Sequence, residues 1–280
     1  MSTASLQSVI DAALAEDAGR GDPTTEATVP AGLTAIADVV MREPGVVCGL
    51  GVAHEVVLRL DPSAEMEVLV GEGESVAEAP RTVARIEGSA RAILTAERTA
   101  LNLLQRLSGI ATATRRYVAA VEGTGVEILD TRKTAPGLRR LDKLAVACGG
   151  GTNHRADLAD AILIKDNHIA LGAGVHEAVL AARTAYPHLH VQAEADTLEQ
   201  LDEAIAAGAD SVLLDNMGVS TLLAAVARTG GAVRLEASGG VTLETVRPIA
   251  ESGVDAISIG ALTHSVRSLD ISLEVHPCPR

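Results

Sequence analysis

The 280-residue chain contains no phenylalanine and no tryptophan, and it has only two tyrosines. Proteins that bind single-stranded nucleic acid usually stack the bases on aromatic rings, so this class of function is disfavoured. The formal net charge of -14 argues in the same way against a surface that binds duplex DNA. Alanine, valine, leucine and isoleucine have to fill the interior.

Cysteine is also scarce. Cys48, Cys148 and Cys278 are widely spaced and form no CxxC motif, so the sequence predicts neither a disulfide framework nor a zinc site. No run of 18 apolar residues is present, which disfavours a membrane span. The first basic residue is Arg20, so the N-terminus lacks the charged start of a signal peptide. Together these absences predict a soluble cytoplasmic protein.

Positive charge is concentrated in one segment, residues 131–168. It holds four aspartates and seven basic residues: Arg132, Lys133, Arg139, Arg140, Lys143, Arg155 and Lys165. A cationic cluster in an acidic chain calls for an anionic partner. The cations stand in separate groups beside apolar runs or glycines, which predicts that several loops converge on one small polyanion.

A repeated pattern begins near residue 120, in which a short apolar run ends in a polar residue or a glycine. The runs are Val126–Leu129, Ala161–Ile164, Leu189–Ala193, Ser211–Leu214, Val233–Leu235 and Ala256–Ile259. Helical patterns follow the later runs, at Thr197–Ala207, Ser220–Arg228 and Thr242–Glu251. Such βα units with continuous apolar strands are typical of a buried parallel sheet. Because a complete eight-unit barrel needs about 250 residues, the pattern predicts an open, incomplete α/β barrel of six or seven strands.

The first 110 residues have a different pattern. Ser5–Glu16 and Thr95–Ile110 are predicted helices, and residues 15–30 are a predicted loop. Between residues 33 and 95 the periodicity is close to two, which predicts an antiparallel sheet with turns at 43–45, 61–63, 71–74 and 87–89. We therefore place a domain boundary near residue 110, with domains at 1–110 and 111–267.

Candidate functional residues stand where the predicted parallel strands end, because ligands of such folds bind there. Arg132 suits a carboxylate and Lys133 a phosphate, although both could be surface cations. His154 and Arg155 follow three glycines and offer two more donors, although this segment could also be a plain loop. Lys165 leaves a buried strand, and an ion pair with a neighbouring carboxylate is the alternative to ligand binding.

Two carboxylates, Glu194 and Asp215, end successive strands. In a cationic pocket they fit a hard divalent ion such as Mg²⁺ that bridges to phosphates. The alternative is that they only neutralise Lys133 and Lys165.

Glycine turns end the last two predicted strands. Ser238, Gly239 and Gly240 form the first turn, and Ile259, Gly260 and Ala261 form the second, as in the phosphate sites of many barrels. His264 could reach the same phosphate or cap a helix. Arg98, on the predicted helix before the barrel, could bind a ligand or form a surface salt bridge.

The sequence resembles the quinolinate phosphoribosyltransferase family over nearly its whole length. The motifs that carry the resemblance occur in order as EDAGRGDPTTEAT, ERTALNLLQRLSGIATAT, TRKTAPGLR, CGGGTNHR, LIKDNH, QAEADT, LLDNM, EASGG and SIGALTHSVRSLDISLEV. The resemblance implies an N-terminal α/β sandwich-like domain, an open α/β barrel, and a C-terminal tail, 268–280, that packs back on the first domain. It further implies a homodimer in which Arg98 completes the partner's site.

The resemblance also implies roles for the candidate residues. The quinolinate contacts correspond to Arg132, His154, Arg155, Lys165 and the partner subunit's Arg98. The contacts to 5-phosphoribosyl-1-pyrophosphate correspond to Lys133, Glu194 and Asp215, with Thr131 beside them, Mg²⁺ near the two carboxylates, and both glycine turns and His264 near the phosphate. Alanine at positions 135 and 237 departs from the family pattern but removes no charged group.

The implied reaction transfers phosphoribosyl to quinolinate with loss of CO₂ and yields nicotinate mononucleotide and pyrophosphate, a step of NAD biosynthesis. Three alternatives stay open. They are a related phosphoribosyltransferase with another anionic acceptor, a non-catalytic sugar-phosphate-binding protein, and an unrelated phosphate-binding barrel in which Lys165 forms a Schiff base.

Overall fold

The computed structural model describes residues 3–172 and 174–278. Residues 1, 2, 279 and 280, which fall in the predicted N-terminal domain and C-terminal tail, and residue 173 in the predicted barrel, lie outside the described residues. The chain divides into two compact units. Unit 1 comprises Met1–Ala113, Ala135–Gly150 and Ser265–Arg280, and unit 2 comprises Thr114–Thr134 and Gly151–His264.

Helices and strands are mixed along the whole described chain. In order, the elements are α1 (Thr3–Ala18), α2 (Pro23–Thr28), β1 (Thr34–Met41), β2 (Gly45–Val46), α3 (Leu50–Leu58), β3 (Glu65–Val68), β4 (Ser75–Val76), β5 (Arg81–Ser89), α4 (Ala90–Ala120), β6 (Glu127–Leu129), α5 (Arg139–Cys148), β7 (Ile162–Ile164), α6 (Asp166–Leu171), α7 (Val175–Ala185), β8 (Val191–Ala195), α8 (Leu198–Ala206), β9 (Ser211–Asp215), α9 (Val219–Thr229), β10 (Arg234–Ser238), α10 (Val246–Ala250), β11 (Ala256–Ser258), α11 (Ala261–His264) and β12 (Ile271–Pro277). None of the helices in the described part of the chain has the length and apolar character that a membrane crossing requires.

Unit 1 contains an antiparallel sheet in the order β12-β1-β5-β3 and a small β2-β4 pair. The C-terminal strand β12 pairs with β1 along seven residues of each strand, from Met41 opposite Ile271 to Ala35 opposite Pro277. Aliphatic side chains form the core beneath the sheet, among them Ile10, Met41 and Ile93, each fully buried. The prediction of an antiparallel N-terminal sheet is confirmed.

Three details of the prediction for this region were wrong. The predicted loop at 15–30 contains helix α2, because Asp22 accepts a hydrogen bond from the Thr25 amide (3.0 Å) and Pro23 opens the first turn. Helix α3 replaces part of the predicted sheet, since tertiary burial of its apolar residues overrides their strand propensity. Residues 87–89 complete strand β5 instead of forming a turn.

A buried ion pair fastens helix α5 within unit 1. Arg106 donates two bonds to Asp142, from Nε to Oδ1 (2.9 Å) and from Nη2 to Oδ2 (2.8 Å). The carboxylate of Asp142 is fully buried and also accepts a bond from the Ala135 amide at 3.2 Å. Residues 135–150 therefore belong to unit 1, although they lie between two strands of unit 2 in the sequence.

Unit 2 contains six parallel strands in the order β6-β11-β10-β9-β8-β7. All six overlap the predicted apolar runs. β6 and β7 are the two edge strands of this sheet, so the barrel is not closed. The predicted incomplete barrel is confirmed. Thr197 caps α8 as its position predicts, accepting a bond from the Gln200 amide at 3.2 Å. Helix α10 is shorter than predicted because residues 242–245 form a turn, which a hydrogen bond from the Thr242 amide to Thr245 Oγ1 (2.9 Å) stabilises.

The strands of unit 2 are buried on both faces but carry polar residues on one of them. In β8, Gln192 and Glu194 alternate with alanine and valine, and all five residues are buried. In β10, Glu236 and Ser238 alternate with apolar neighbours in the same way. Because side chains along a strand alternate between faces, these polar residues share one face of the sheet.

Candidate active site

A cavity of about 570 Å³ lies in unit 2, where several of the parallel strands end. The residues that line it are Thr131, Arg132, Lys133, His154, Arg155, Leu163, Lys165, Asp166, Glu194, Leu213, Asp215, Asn216, Glu236, Ser238, Gly239, Gly240 and Ser258. Eleven of the residues predicted from the sequence are among them. The cavity therefore brings together segments that are up to about 130 residues apart in the chain.

Two guanidinium groups approach each other at the cavity. Arg155 is half-buried, and its Nη1 donates to the carbonyl of Ala161 at 2.7 Å. Burial, together with the positive charge of Arg132, lowers the pKa of Arg155, while Asp157 acts in the opposite direction. Arginine remains charged despite such a shift. Two like charges held together at a partly buried surface are stabilised by an anion between them.

Lys133 is exposed, and its backbone is held on both sides. Its amide donates to Thr131 Oγ1 at 3.0 Å, and its carbonyl accepts a bond from Thr263 Oγ1 at 2.9 Å. A Cβ atom at Gly260 would come within 3.1 Å of the Lys133 side chain, so glycine at this position leaves room for it. The lysine is thus anchored at its main chain while its ammonium group remains accessible.

His154 is held by contacts at both ring nitrogens. Its Nδ1 accepts a bond from the Arg155 amide at 2.8 Å, so the proton of the neutral ring resides on Nε2. Nε2 lies 3.1 Å from Gln192 Oε1 and 3.4 Å from Glu236 Oε2. Gln192 Nε2 in turn donates to the same Glu236 oxygen at 2.8 Å. This network favours a role for His154 in positioning the 154–155 backbone rather than as an independent cation.

Glu236 remains ionised in this network. Burial raises the pKa of Glu236, but hydrogen bonds from His154, Ser258 and Gln192 outweigh it and leave the pKa below its ordinary value. The residue is 3% exposed. A buried carboxylate with this set of donors orients its neighbours and adds negative charge to a cavity that Arg132, Lys133 and Arg155 also line.

Two carboxylates that line the cavity, Glu194 and Asp215, form a compact group with Asp196. Oxygens of Glu194, Asp196 and Asp215 lie within 4.8 Å of one another, and Lys165 Nζ donates to Glu194 Oε2 at 2.8 Å. Lys165 therefore forms the ion pair that the sequence left as an alternative, and it also lines the cavity. The His168 ring assists, since its Nδ1 accepts a bond from the Lys165 amide at 2.9 Å and caps helix α6.

The glycine turn after β10 interlocks with the end of β9. Gly239 has φ +97°, and a Cβ atom there would lie 2.1 Å from Asn216 Oδ1 and 2.9 Å from the Asn216 backbone nitrogen. Asn216 also has a positive φ, 52°, and its Nδ2 donates to Asp215 Oδ2 at 2.6 Å. Only glycine fits at 239, and its presence allows Asn216 to hold Asp215.

The remaining predicted site residues lie elsewhere. Among the residues that the structure describes, Ile259, Gly260, Ala261 and His264 do not line the cavity, although a Cβ atom at Gly260 would lie within 3.1 Å of both the Lys133 and His264 side chains. Arg98 is exposed on helix α4 and belongs to unit 1.

Several polar residues of this region were not predicted from the sequence. Gln192 lies two positions before Glu194, and Asp196 and Asn216 lie one or two positions beyond a predicted strand end. Glu236 directly follows the apolar run Val233–Leu235 but was not among the predicted site residues. The missed signal was the alternation of polar residues within otherwise apolar strands.

Two family models together match most of the chain. The model described as quinolinate phosphoribosyl transferase, N-terminal domain, matches residues 22–108, and the model for the C-terminal domain matches residues 110–274.

Similar proteins extend over almost the same length. The nicotinate-nucleotide pyrophosphorylase [carboxylating] of Mycobacterium leprae is 46% identical over 279 residues, covering 94% of each chain. The probable enzyme of the same name from Bacillus subtilis is 42% identical and covers 96% of this chain and 93% of its own. The crystal structure of NadC from Streptococcus pyogenes superimposes with a TM-score of 0.95 at 37% identity, over 100% of this chain and 99% of its own. The chain therefore belongs to the quinolinate phosphoribosyltransferase family.

Proposed function

We propose that this protein transfers the phosphoribosyl group of 5-phosphoribosyl-1-pyrophosphate to quinolinate, with loss of CO₂. The products are nicotinate mononucleotide and pyrophosphate, and the reaction is a step of de novo NAD biosynthesis. The observation that carries the proposal is one cavity lined both by guanidinium and ammonium groups and by the carboxylates of Glu194 and Asp215, with the Asp196 carboxylate close to these two. Relatives named nicotinate-nucleotide pyrophosphorylase [carboxylating], 42–46% identical, support it.

Quinolinate carries two carboxylates on one ring, and the cavity offers several cations to bind them. Arg132 and Arg155 are close enough for each charge to influence the other, so a shared anion relieves their repulsion. Each unit charge about 4 Å from a carboxylate contributes about 4 kcal/mol at an effective dielectric constant of about 20. Together with Lys165, these contacts can offset the cost of removing a dianion from water.

A divalent metal fits the carboxylate cluster. Glu194, Asp196 and Asp215 supply hard oxygen donors within 4.8 Å of one another, and Mg²⁺ is usually held by one or two carboxylates together with substrate phosphates. When bound there, Mg²⁺ would supply positive charge that stabilises the departing pyrophosphate. Lys165 now occupies one oxygen of Glu194, so we expect this ion pair to loosen when substrate and metal enter.

The residues of the chain act by positioning and charge. Lys133, fixed at its backbone by Thr131 and Thr263, places an ammonium group where it can stabilise charge on the leaving group. The Gly239–Gly240 turn allows a phosphate to approach the backbone closely. No nucleophilic side chain is required, because the ring nitrogen of quinolinate takes the anomeric carbon directly. The resulting cationic ring accepts the electrons that remain when the 2-carboxylate leaves as CO₂.

We also propose that Arg98 acts in trans, in a homodimer. Arg98 is exposed on α4, and it belongs to the unit that does not contain the cavity. Mixing Arg98→Ala subunits with Arg155→Ala subunits should restore activity, because one of the two mixed sites then keeps both arginines. Mixed dimers that form, as shown by mass spectrometry, but stay inactive would refute the shared site.

The overall proposal is tested by incubating the purified protein with 5-phosphoribosyl-1-pyrophosphate, Mg²⁺ and either quinolinate or nicotinate. We expect nicotinate mononucleotide and equimolar CO₂ from quinolinate, and at least ~100-fold slower turnover with nicotinate, which lacks one carboxylate. Equal rates with both acceptors would instead favour a related transferase of different acceptor specificity. Absence of any product would favour a binding protein.

A further inference from the structure

A second group of potential ligand atoms lies in unit 1. It is formed by Cys48, Glu72 and Cys148, and the donor atoms of the three side chains all lie within 4.8 Å of one another. Cys48 follows strand β2, Glu72 lies in the turn between β3 and β4, and Cys148 ends helix α5. The wide spacing of the cysteines in the sequence gave no sign of this group.

The backbone around the three side chains is well fixed. The Cys48 amide donates to Ser108 Oγ at 3.1 Å, and this hydroxyl donates back to the Cys48 carbonyl at 3.0 Å. Glu72 accepts one bond from the amide of Gly49 at 2.8 Å and a longer one from the amide of Gly51 at 3.3 Å. Both carboxylate oxygens are therefore oriented, and each retains a lone pair.

The loop that carries Glu72 also lies against Cys148. Gly73 has φ +81°, and a Cβ atom there would come within 3.7 Å of Cys148 Sγ and 3.3 Å of its carbonyl oxygen. The Gly73 amide donates to the Val47 carbonyl at 2.8 Å, the same carbonyl that the Cys148 thiol approaches at 3.6 Å. The positive φ at Gly73 thus lets three distant segments meet around the two sulfur atoms.

We propose that Cys48, Glu72 and Cys148 bind a thiophilic divalent cation of the Zn²⁺ type, as a site separate from the carboxylate cluster of unit 2. Zinc–sulfur bonds of about 2.3 Å in a tetrahedral site place two sulfurs about 3.8 Å apart, which agrees with a group confined within 4.8 Å. Two thiolates and one carboxylate select zinc over magnesium because sulfur is a soft ligand. Water takes the fourth position, on the side of the exposed Glu72.

Metal binding at this group is coupled to release of the thiol protons, because the thiolate is the form of cysteine that binds a metal. Without a cation the group keeps its thiol protons. When the metal binds, two sulfur–metal bonds form and two protons pass to solvent, with no change in oxidation state.

The site is tested on the full-length protein, reduced and stripped of metal, by titration with Co²⁺ alone and then with Zn²⁺ in competition. We expect one Co²⁺ per chain at this site with a thiolate-to-cobalt charge-transfer band, and loss of that band when Zn²⁺ is added. Zn²⁺ should also protect Cys148 from alkylation, whereas Cys48 is buried with or without the metal. Cys278→Ser is the matched control and should leave the band and the affinity unchanged.

Two variants locate the site. Cys148→Ser should abolish the charge-transfer band, and Glu72→Gln should weaken Zn²⁺ binding by roughly 10-fold or more. A double variant, Glu194→Gln with Asp215→Asn, should keep the band, because the sulfur site lies elsewhere.

The proposal is overturned if the reduced wild-type protein binds Co²⁺ without a charge-transfer band, or if the band persists in Cys148→Ser. It is also overturned if the double variant of unit 2 removes the band. The alkylation measurement uses only wild-type protein, so the test stands even if a cysteine variant folds poorly.

Discussion

Replacing Gly239 with alanine should damage both the fold of unit 2 and the site. The backbone at Gly239 has φ +97°, and an L-residue in this left-handed region costs about 1–2 kcal/mol. The added methyl group would also meet Asn216 at 2.1 Å from its side-chain oxygen and 2.9 Å from its backbone nitrogen. The backbone atom cannot swing away as a side chain can, so we add about 1–3 kcal/mol for overpacking. The total expected loss is about 2–5 kcal/mol in the free energy of unfolding.

Gly208→Ala is the matched control. Gly208 has φ +84° and also lies in unit 2, but a Cβ atom there would meet nothing within 4 Å. This variant should lose only the conformational term, about 1–2 kcal/mol. Urea unfolding followed by circular dichroism measures both variants, and the difference between them isolates the steric term.

Substrate binding should also respond to the Gly239→Ala substitution. Asn216 holds Asp215 through a bond of 2.6 Å, so displacing Asn216 should misplace a carboxylate that we assign to the metal. We expect the KM for 5-phosphoribosyl-1-pyrophosphate to rise in Gly239→Ala and to stay unchanged in Gly208→Ala. Equal losses of stability in the two variants, together with an unchanged KM, would refute the reasoning about the interlocked turn.

Three further changes give separate tests. Lys133→Ala should reduce kcat by about 100-fold, as loss of one stabilising charge does, while thermal unfolding stays close to wild type; retained turnover would reject its role. Asp142→Ala removes both bonds from Arg106 to a fully buried carboxylate and should cost about 3–5 kcal/mol in urea unfolding, whereas Glu274→Ala, at an exposed ion pair, should cost about 1 kcal/mol or less. The pKa of Glu236 is lower in the folded protein than its ordinary value, so the stabilisation from its ionised form is present above about pH 4.5 and lost as the pH falls through the folded pKa. The stability difference between wild type and Glu236→Gln should therefore hold from pH 7 down to about pH 4.5 and shrink below it, and a difference that stays constant below pH 4.5 would contradict this assignment.

The strands of unit 2 could be predicted because each is a local apolar run that ends at a polar residue or a glycine, a pattern typical of buried parallel strands. The prediction for unit 1 was less accurate at α2 and α3. The Asp22 cap and Pro23 are local signals of a helix start, but the six-residue helix α2 is too short to show a helical apolar pattern. Helix α3 is rich in valine, and its helical state depends on burial that no local pattern reveals.

By itself the sequence determined the family, the open barrel and the cationic residues of segment 131–168, because motifs, periodicity and charge are local properties of a chain. Only the tertiary structure decided which side chains meet. It showed that His154 uses both ring nitrogens within the protein, that Lys165 pairs with Glu194, and that Asn216 depends on Gly239. It also brought Cys48 to Cys148 across 100 residues. Such contacts arise from packing between distant segments, and spacing along the chain does not encode them.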